Sequence, residues 1–170
     1  EPDFFMGSDE YLGEIAAAVR IPILRKDFII DISQIYETKL LGASAVLLIC
    51  ALLDTEPLAA FIKTARSLEL SALVEIHNEA EADSALKAGA LIVGINNRDL
   101  KTFEVDIGLC ARLRKLLPPG LIVVAESGVK TPADIRTLGE QRIDAVLIGE
   151  SMMRAPDKKK YLAELRSGLR

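Results

Sequence analysis

Several short apolar segments of this 170-residue chain end in ionisable or amide side chains, where a purely structural strand would give way to a neutral turn. Leu24 is followed by Arg25-Lys26-Asp27-Phe28, Leu73-Val74 by Glu75, and Gly94-Ile95 by Asn96-Asn97-Arg98-Asp99. Val124-Ala125 runs into Glu126-Ser127-Gly128, and Ile148 into Gly149-Glu150-Ser151. A lysine and two carboxylates in a partly dry pocket can deliver and accept protons, because burial and neighbouring charge tune such groups to their task. Ser127-Gly128 and Gly149-Glu150 point to a second chemistry. Glycine lets backbone N–H groups approach an anion, and Glu150-Ser151-Met152-Met153 can open a short helix facing it. Any one of these charges alone reads more simply as a solvated strand end or half of an ion pair. Five such ends in one chain favour function.

A repeat must position these groups. Short, nearly continuous apolar runs recur at Ile21–Leu24, Ala45–Ile49, Ala72–Ile76, Leu91–Ile95, Leu121–Ala125 and Ala145–Ile148. Strands buried on both faces read this way, as parallel strands do. Amphipathic stretches such as Glu56–Leu68, Glu79–Ala88 and Ile107–Leu117 lie between them. Gly42 and Gly89 each stand just before a strand, where a left-handed residue closes the preceding helix. Ser8, Asp54 and Thr131-Pro132 mark helix starts. Alternation puts Lys26 on the face of Leu24, Glu75 on that of Leu73 and Glu126 on that of Val124.

Six such units on one chain, with no linker or low-complexity tract, predict a single α/β domain over residues 1–170. Periodicity leaves a barrel and a doubly wound sheet both open. In a TIM barrel all the polar strand ends meet at one face, and phosphate sites are built from the loops after strands seven and eight. Matching those loops to the ones after the fifth and sixth runs leaves two strands unaccounted for at the front.

Composition narrows the function. A net charge of -4 argues against nucleic acid as a main partner, and no apolar run approaches the roughly 18 residues of a membrane helix. His77 is the only histidine, which excludes a histidine-based triad or metal cluster. Cys50 and Cys110 offer no disulfide framework or metal spacing and read as reduced thiols of a cytoplasmic protein.

Leu24-Arg25-Lys26-Asp27-Phe28-Ile29-Ile30-Asp31, followed by Gln34-Ile35-Tyr36-Glu37, resembles the third-strand region of the indole-3-glycerol-phosphate synthases. Leu73 to His77, Gly94 to Phe103, Ala125 to Gly128 and Ile148 to Arg154 resemble further segments of that family, and Phe4 to Ser8 the loop after its second strand. The resemblance covers essentially the whole chain. It implies a TIM (β/α)8 barrel that is incomplete, with about six of eight units present, strands three to eight. It implies a lyase of tryptophan biosynthesis that closes and decarboxylates 1-(2-carboxyphenylamino)-1-deoxyribulose 5-phosphate, with no metal and no organic cofactor. Its partner would be that small phosphorylated substrate, with no nucleic acid and no membrane.

Carried over by position, Lys26 resembles the general acid of ring closure and Glu75 the acid–base residue of dehydration. Asn96 and Glu126 resemble residues that position the substrate, and Arg98 one that meets a substrate anion. Phe28, Leu47 and Ile49 would wall the aromatic ring, although core packing explains them equally well. Ser127, Gly128, Gly149 and Glu150 would hold the phosphate, Glu150 through its backbone N–H. The family's first-strand glutamate and lysine have no counterpart here. The chain is therefore expected to be inactive by itself and to self-associate through open barrel edges. Two competing readings are another phosphate-binding TIM-barrel enzyme and a non-catalytic phosphate-binding remnant.

Overall fold

The computed structural model describes residues 7–99 and 102–169. Phe4-Phe5-Met6 of the expected loop and Leu100-Lys101 of the expected segment from Gly94 to Phe103 lie outside the described residues. Six parallel strands alternate with helices, in the order α1 (Asp9–Ala18), β1 (Leu24–Arg25), α2 (Ser33–Leu40), β2 (Ala45–Ile49), α3 (Thr55–Ser67), β3 (Ser71–Ile76), α4 (Glu79–Lys87), β4 (Ile92–Asn96), α5 (Gly108–Arg114), β5 (Ile122–Glu126), α6 (Pro132–Glu140), β6 (Ala145–Leu147), α7 (Glu150–Arg154) and α8 (Lys158–Arg166). Strand order follows chain order throughout. A doubly wound sheet reverses its order at a switch point, whereas a barrel does not. The fold is the α/β TIM-like type, incomplete, with six strands among the described residues.

The chain forms two compact units, one of residues 1–76 and 83–92 and one of residues 77–82 and 93–170. In the first, β1, β2 and β3 pair in register, Leu24 with Ala45, Arg25 with Val46, Leu47 with Leu73 and Ile49 with Glu75. The core of this unit is Val46, Leu47, Leu48, Val74 and Ile76, all buried. Helix α3 covers it with Leu58, Phe61, Ile62 and Ala65, the i, i+3, i+4, i+7 stripe of an amphipathic helix. Each large member of that stripe contributes about 1.5–3 kcal/mol by leaving water. Gly42 adopts φ +84° at the end of α2 and approaches Ala16 of α1 so closely that a Cβ would lie 2.9 Å from the Ala16 Cβ.

In the second unit β5 and β6 pair from Val124 with Ala145 to Glu126 with Leu147. The cap signals act here with most force. Thr131 accepts a hydrogen bond from the Asp134 N–H, and Asp134 accepts from the Thr131 N–H, a complete capping box with Pro132 at the first helical position. Ser8 likewise caps α1, whereas Asp54 takes the extended N-cap conformation before α3 without a side-chain capping bond.

Five of the six apolar runs become strands within one residue of the expected limits. The first does not: β1 is only Leu24–Arg25. Pro22 has no N–H to give a ladder, and Ile21 stands 73% exposed ahead of it. Pairing begins where Ile23 O accepts the N–H groups of Ser44 and Ala45.

Candidate active site

In the first unit the functional side chains are laid out by strand register. Leu24 is opposite Ala45, so the row continued by two residues sets Lys26 beside Leu47 and Leu73. The next row on that face holds Ile49 and Glu75. Glu75 is held in that row by its pairing with Ile49, whereas Lys26 reaches this face only if the register is extended one residue past the end of β1. Leu47 and Ile49 are fully buried, Phe28 and Lys26 are half-buried, and Glu75 is 1% exposed. A carboxylate that deep within a strand is costly unless its environment uses it, and such sites concentrate at active centres.

Arg25 points the other way. Its guanidinium is buried and bonds Asp27, Glu37 and Asp9 at 3.0–3.1, 2.8 and 3.2 Å, with Thr38 Oγ1 and Gln34 O as further acceptors. The loop that follows is tied as tightly. The Phe28 N–H donates to Asp27 Oδ1, and the Gln34 amide accepts from the N–H groups of Ile30 and Asp31 while donating to Phe28 O. Strand-end polarity does not single out Arg25 or Gln34 as organisers, because the partners of Arg25 lie up to 16 residues away.

The second unit holds Asn96, Arg98, Glu126, Ser127, Gly128, Gly149 and Glu150. Asn96 ends β4, 7% exposed, and its Oδ1 accepts from Ser127 Oγ at 2.8 Å and from the Arg98 N–H at 3.1 Å. Asn97, which the sequence marks only as the second of an Asn-Asn pair, joins the ends of β4 and β5. Its N–H donates to Glu126 O and its side-chain amide to Ser127 O. Glu126 ends β5 at 1% exposure.

Ser127 and Gly128 follow with φ +63° and +82°. Two successive left-handed residues turn their backbone groups sharply, and for the serine this costs about 1–3 kcal/mol. The bonds from Asn96 and Asn97 hold it there. A Cβ on Gly128 would come within 2.6 Å of Val105 Cγ1, so glycine is required by space as well as by φ. Val105 belongs to the loop after β4, where it forms an antiparallel bridge with Arg98.

Gly149 precedes α7 and is exposed. Glu150 turns its carboxylate to Arg98 at 3.0 Å and to Arg154 at 3.2 Å. That leaves the backbone N–H as the group with the right sign for an anion. Ser151 Oγ donates to Val129 O and Tyr161 OH to Lys130 O, which ties α7 and α8 to the loop after β5.

Burial lifts the Cys110 thiol to about 11, which favours the protonated form that donates to Ile95 O of β4. Among the described residues no three His, Cys, Asp or Glu side chains are grouped to hold a metal ion, and no helix is long and apolar enough to cross a membrane.

Whole-chain likeness to solved structures supports the fold. The structure of 3-hexulose-6-phosphate synthase from Salmonella typhimurium is similar over 99% of this chain and 82% of its own, with a TM-score of 0.85 and 14% identity. A second, thiamine phosphate pyrophosphorylase from Pyrococcus furiosus, covers 96% and 78% at a TM-score of 0.70 and 17% identity. At such identities the likeness shows the fold alone. Sequence says more. Residues 1–165 match the family described as indole-3-glycerol phosphate synthase. A protein of that name from Ruminiclostridium cellulolyticum is 56% identical over 98% of this chain and 64% of its own length. One from Endomicrobium trichonymphae is 54% identical over the same shares. The chain thus spans under two thirds of the length of these relatives, and it belongs to the indole-3-glycerol phosphate synthase family.

Proposed function

We propose that this chain supplies most of a lyase that converts 1-(2-carboxyphenylamino)-1-deoxyribulose 5-phosphate into indole-3-glycerol phosphate, carbon dioxide and water. The observation that carries the reading is the register of the first unit, which sets buried Glu75 beside Ile49 and, continued one residue past β1, brings Lys26 to the row of Leu47 on the same face. Ring closure needs an acid. The aromatic carbon bearing the carboxylate attacks the ketone, and the Lys26 ammonium gives its proton to the carbonyl oxygen, which becomes a hydroxyl. The carboxylate then leaves as carbon dioxide and returns its electron pair to the ring. Glu75 serves the last step, in which the hydroxyl departs as water and a proton is lost to form the indole double bond. Such positioned proton transfers are worth roughly 10²–10⁴-fold in rate.

Phe28, Leu47 and Ile49 supply apolar surface for the aromatic ring. Asn96 and Glu126 orient the substrate hydroxyl groups, and Arg98 meets a substrate anion. Ser127, Gly128, Gly149 and Glu150 grip the phosphate through backbone N–H groups. Helix α7 has only five residues, so these amides and not a helix dipole carry the binding. The setting is cytoplasmic, consistent with two buried cysteines that are in no disulfide.

The 170-residue chain by itself is proposed to be inactive and to self-associate. In the sheet β1 and β6 each have one neighbouring strand, and unpaired strand edges are templates for association. The test is to join the chain to the front of the R. cellulolyticum relative and follow indole-3-glycerol phosphate formation. Product from the joined chain, and none from the 170 residues alone, is expected. A folded joined chain that makes no product would refute the activity, and a fully active monomer of 170 residues would refute the need for the front.

A further inference from the structure

The pairing of β1 with β2 ends at Arg25 and Val46, so Lys26 follows the last residue that this ladder holds. Glu75 differs, since it lies within the six-residue β3 and is paired with Ile49. The direction of the lysine is therefore set by more than these sheet hydrogen bonds, and the residues on either side of it bear on it. The residue before it is bound on every side. All three guanidinium nitrogens of Arg25 are engaged: Nε on Asp27, Nη2 on Asp27 and Asp9, Nη1 on Glu37, Thr38 Oγ1 and Gln34 O. The residue after it is bound too, because Asp27 holds Arg25 with one oxygen and the Phe28 N–H with the other.

We infer that Arg25 is a positioning residue for Lys26. Its buried fork clamps the turn from both sides and leaves the Lys26 side chain one direction, that of Leu24 and Leu47. A buried cation surrounded by three carboxylates is a poor way to gain stability, since desolvation offsets most of the attraction. It is a good way to fix geometry, because the planar fork sets several acceptors at once. A lysine in its place keeps the charge and loses the fork. The network also ties α1 through Asp9 and α2 through Glu37 to the strand end, so two helices share in aiming one side chain.

This inference rests on the proposed role of Lys26, and its test separates the two. In the joined enzyme, Arg25→Lys and the milder Glu37→Gln, whose side chain is half exposed, are compared with the parent. Turnover number, Michaelis constant and amide hydrogen exchange at Phe28, Ile30 and Asp31 are measured on each. The expected result for Arg25→Lys is a turnover number about 10–100-fold lower, a Michaelis constant within about twofold, and faster exchange at those three amides with unchanged exchange in β5. Glu37→Gln should move the same quantities in the same direction by less. A simply destabilised protein would instead lose active fraction with exchange rising throughout, and that outcome overturns the inference. So does unchanged turnover, or unchanged exchange at the three amides. A parent without activity would overturn the reading of Lys26 and the catalytic half of this inference together, while the exchange arm still reports whether Arg25 holds the turn.

Discussion

The two units of the molecule hold their functional groups by opposite means. In the first, Glu75 lies within β3 and Lys26 just past the end of β1, and the side chains around them are tightly bound: Arg25 with its three carboxylates, Gln34 with three backbone groups, Leu47 and Ile49 buried in the neighbouring strand. In the second, the backbone itself is unusual. Ser127 and Gly128 are both left-handed, Asn96 and Asn97 brace them, and the charges nearby, Arg98 and Glu150, stay partly in water. The difference fits the roles proposed for each. A group that moves a proton needs a controlled, partly dry environment, which side chains build. A group that grips a phosphate needs several N–H donors aimed at one point, which strained backbone provides.

If that division holds, the largest effect belongs to Lys26→Ala. In the joined enzyme turnover should fall by about 10²–10⁴-fold while the Michaelis constant stays within a few-fold, measured by steady-state kinetics. A change confined to the Michaelis constant would make Lys26 a binding residue and erase the contrast. Gly128→Ala comes next. The added Cβ meets Val105 and the left-handed φ is strained, so a loss of about 1–3 kcal/mol is expected in denaturant unfolding, together with weaker inhibition by inorganic phosphate.

A control outside both sites is the α6 capping box. Asp134→Asn should cost about 1 kcal/mol with no effect on turnover. Partial burial pushes the Asp134 carboxyl up, but the N–H groups of Lys130 and Thr131 donating to it outweigh this and hold it below its ordinary value. Its contribution is therefore present above the unfolded carboxylate range and lost as pH falls through the lowered folded value. Thermal melts of parent and variant should converge at the acid end of that window. The smallest effect is expected from Glu150→Gln. The pairs with Arg98 and Arg154 are exposed, so stability should change by no more than about 0.5 kcal/mol. Phosphate should bind more tightly, because a competing negative charge on Arg98 is gone.

Much of this arrangement is legible in the sequence. Buried parallel strands advertise themselves as short apolar runs, and polar residues at their ends stand out against that background. Gly42 and Gly89 carry the signature of left-handed joints and adopt φ of +84° and +82°. Thr131-Pro132 signals a helix start, and its capping box is complete. What stays hidden depends on partners distant in the chain. Nothing local marks Arg25 as a hub, since Asp9 and Glu37 meet it only once α1 and α2 are in place. Nothing local marks Ser127 as left-handed, because serine seldom adopts that conformation without braces such as Asn96 and Asn97. The shortness of β1, by contrast, is foreseeable from Pro22.

The most direct test of the division is a single experiment on Lys26→Ala in the joined enzyme, in which turnover and the inhibition constant for inorganic phosphate are measured together. The account predicts that turnover collapses while phosphate inhibits with an unchanged constant, because the proposed phosphate grip is built from Ser127, Gly128, Gly149 and Glu150 of the other unit. Parallel loss of turnover and phosphate affinity in a fully folded variant would contradict it.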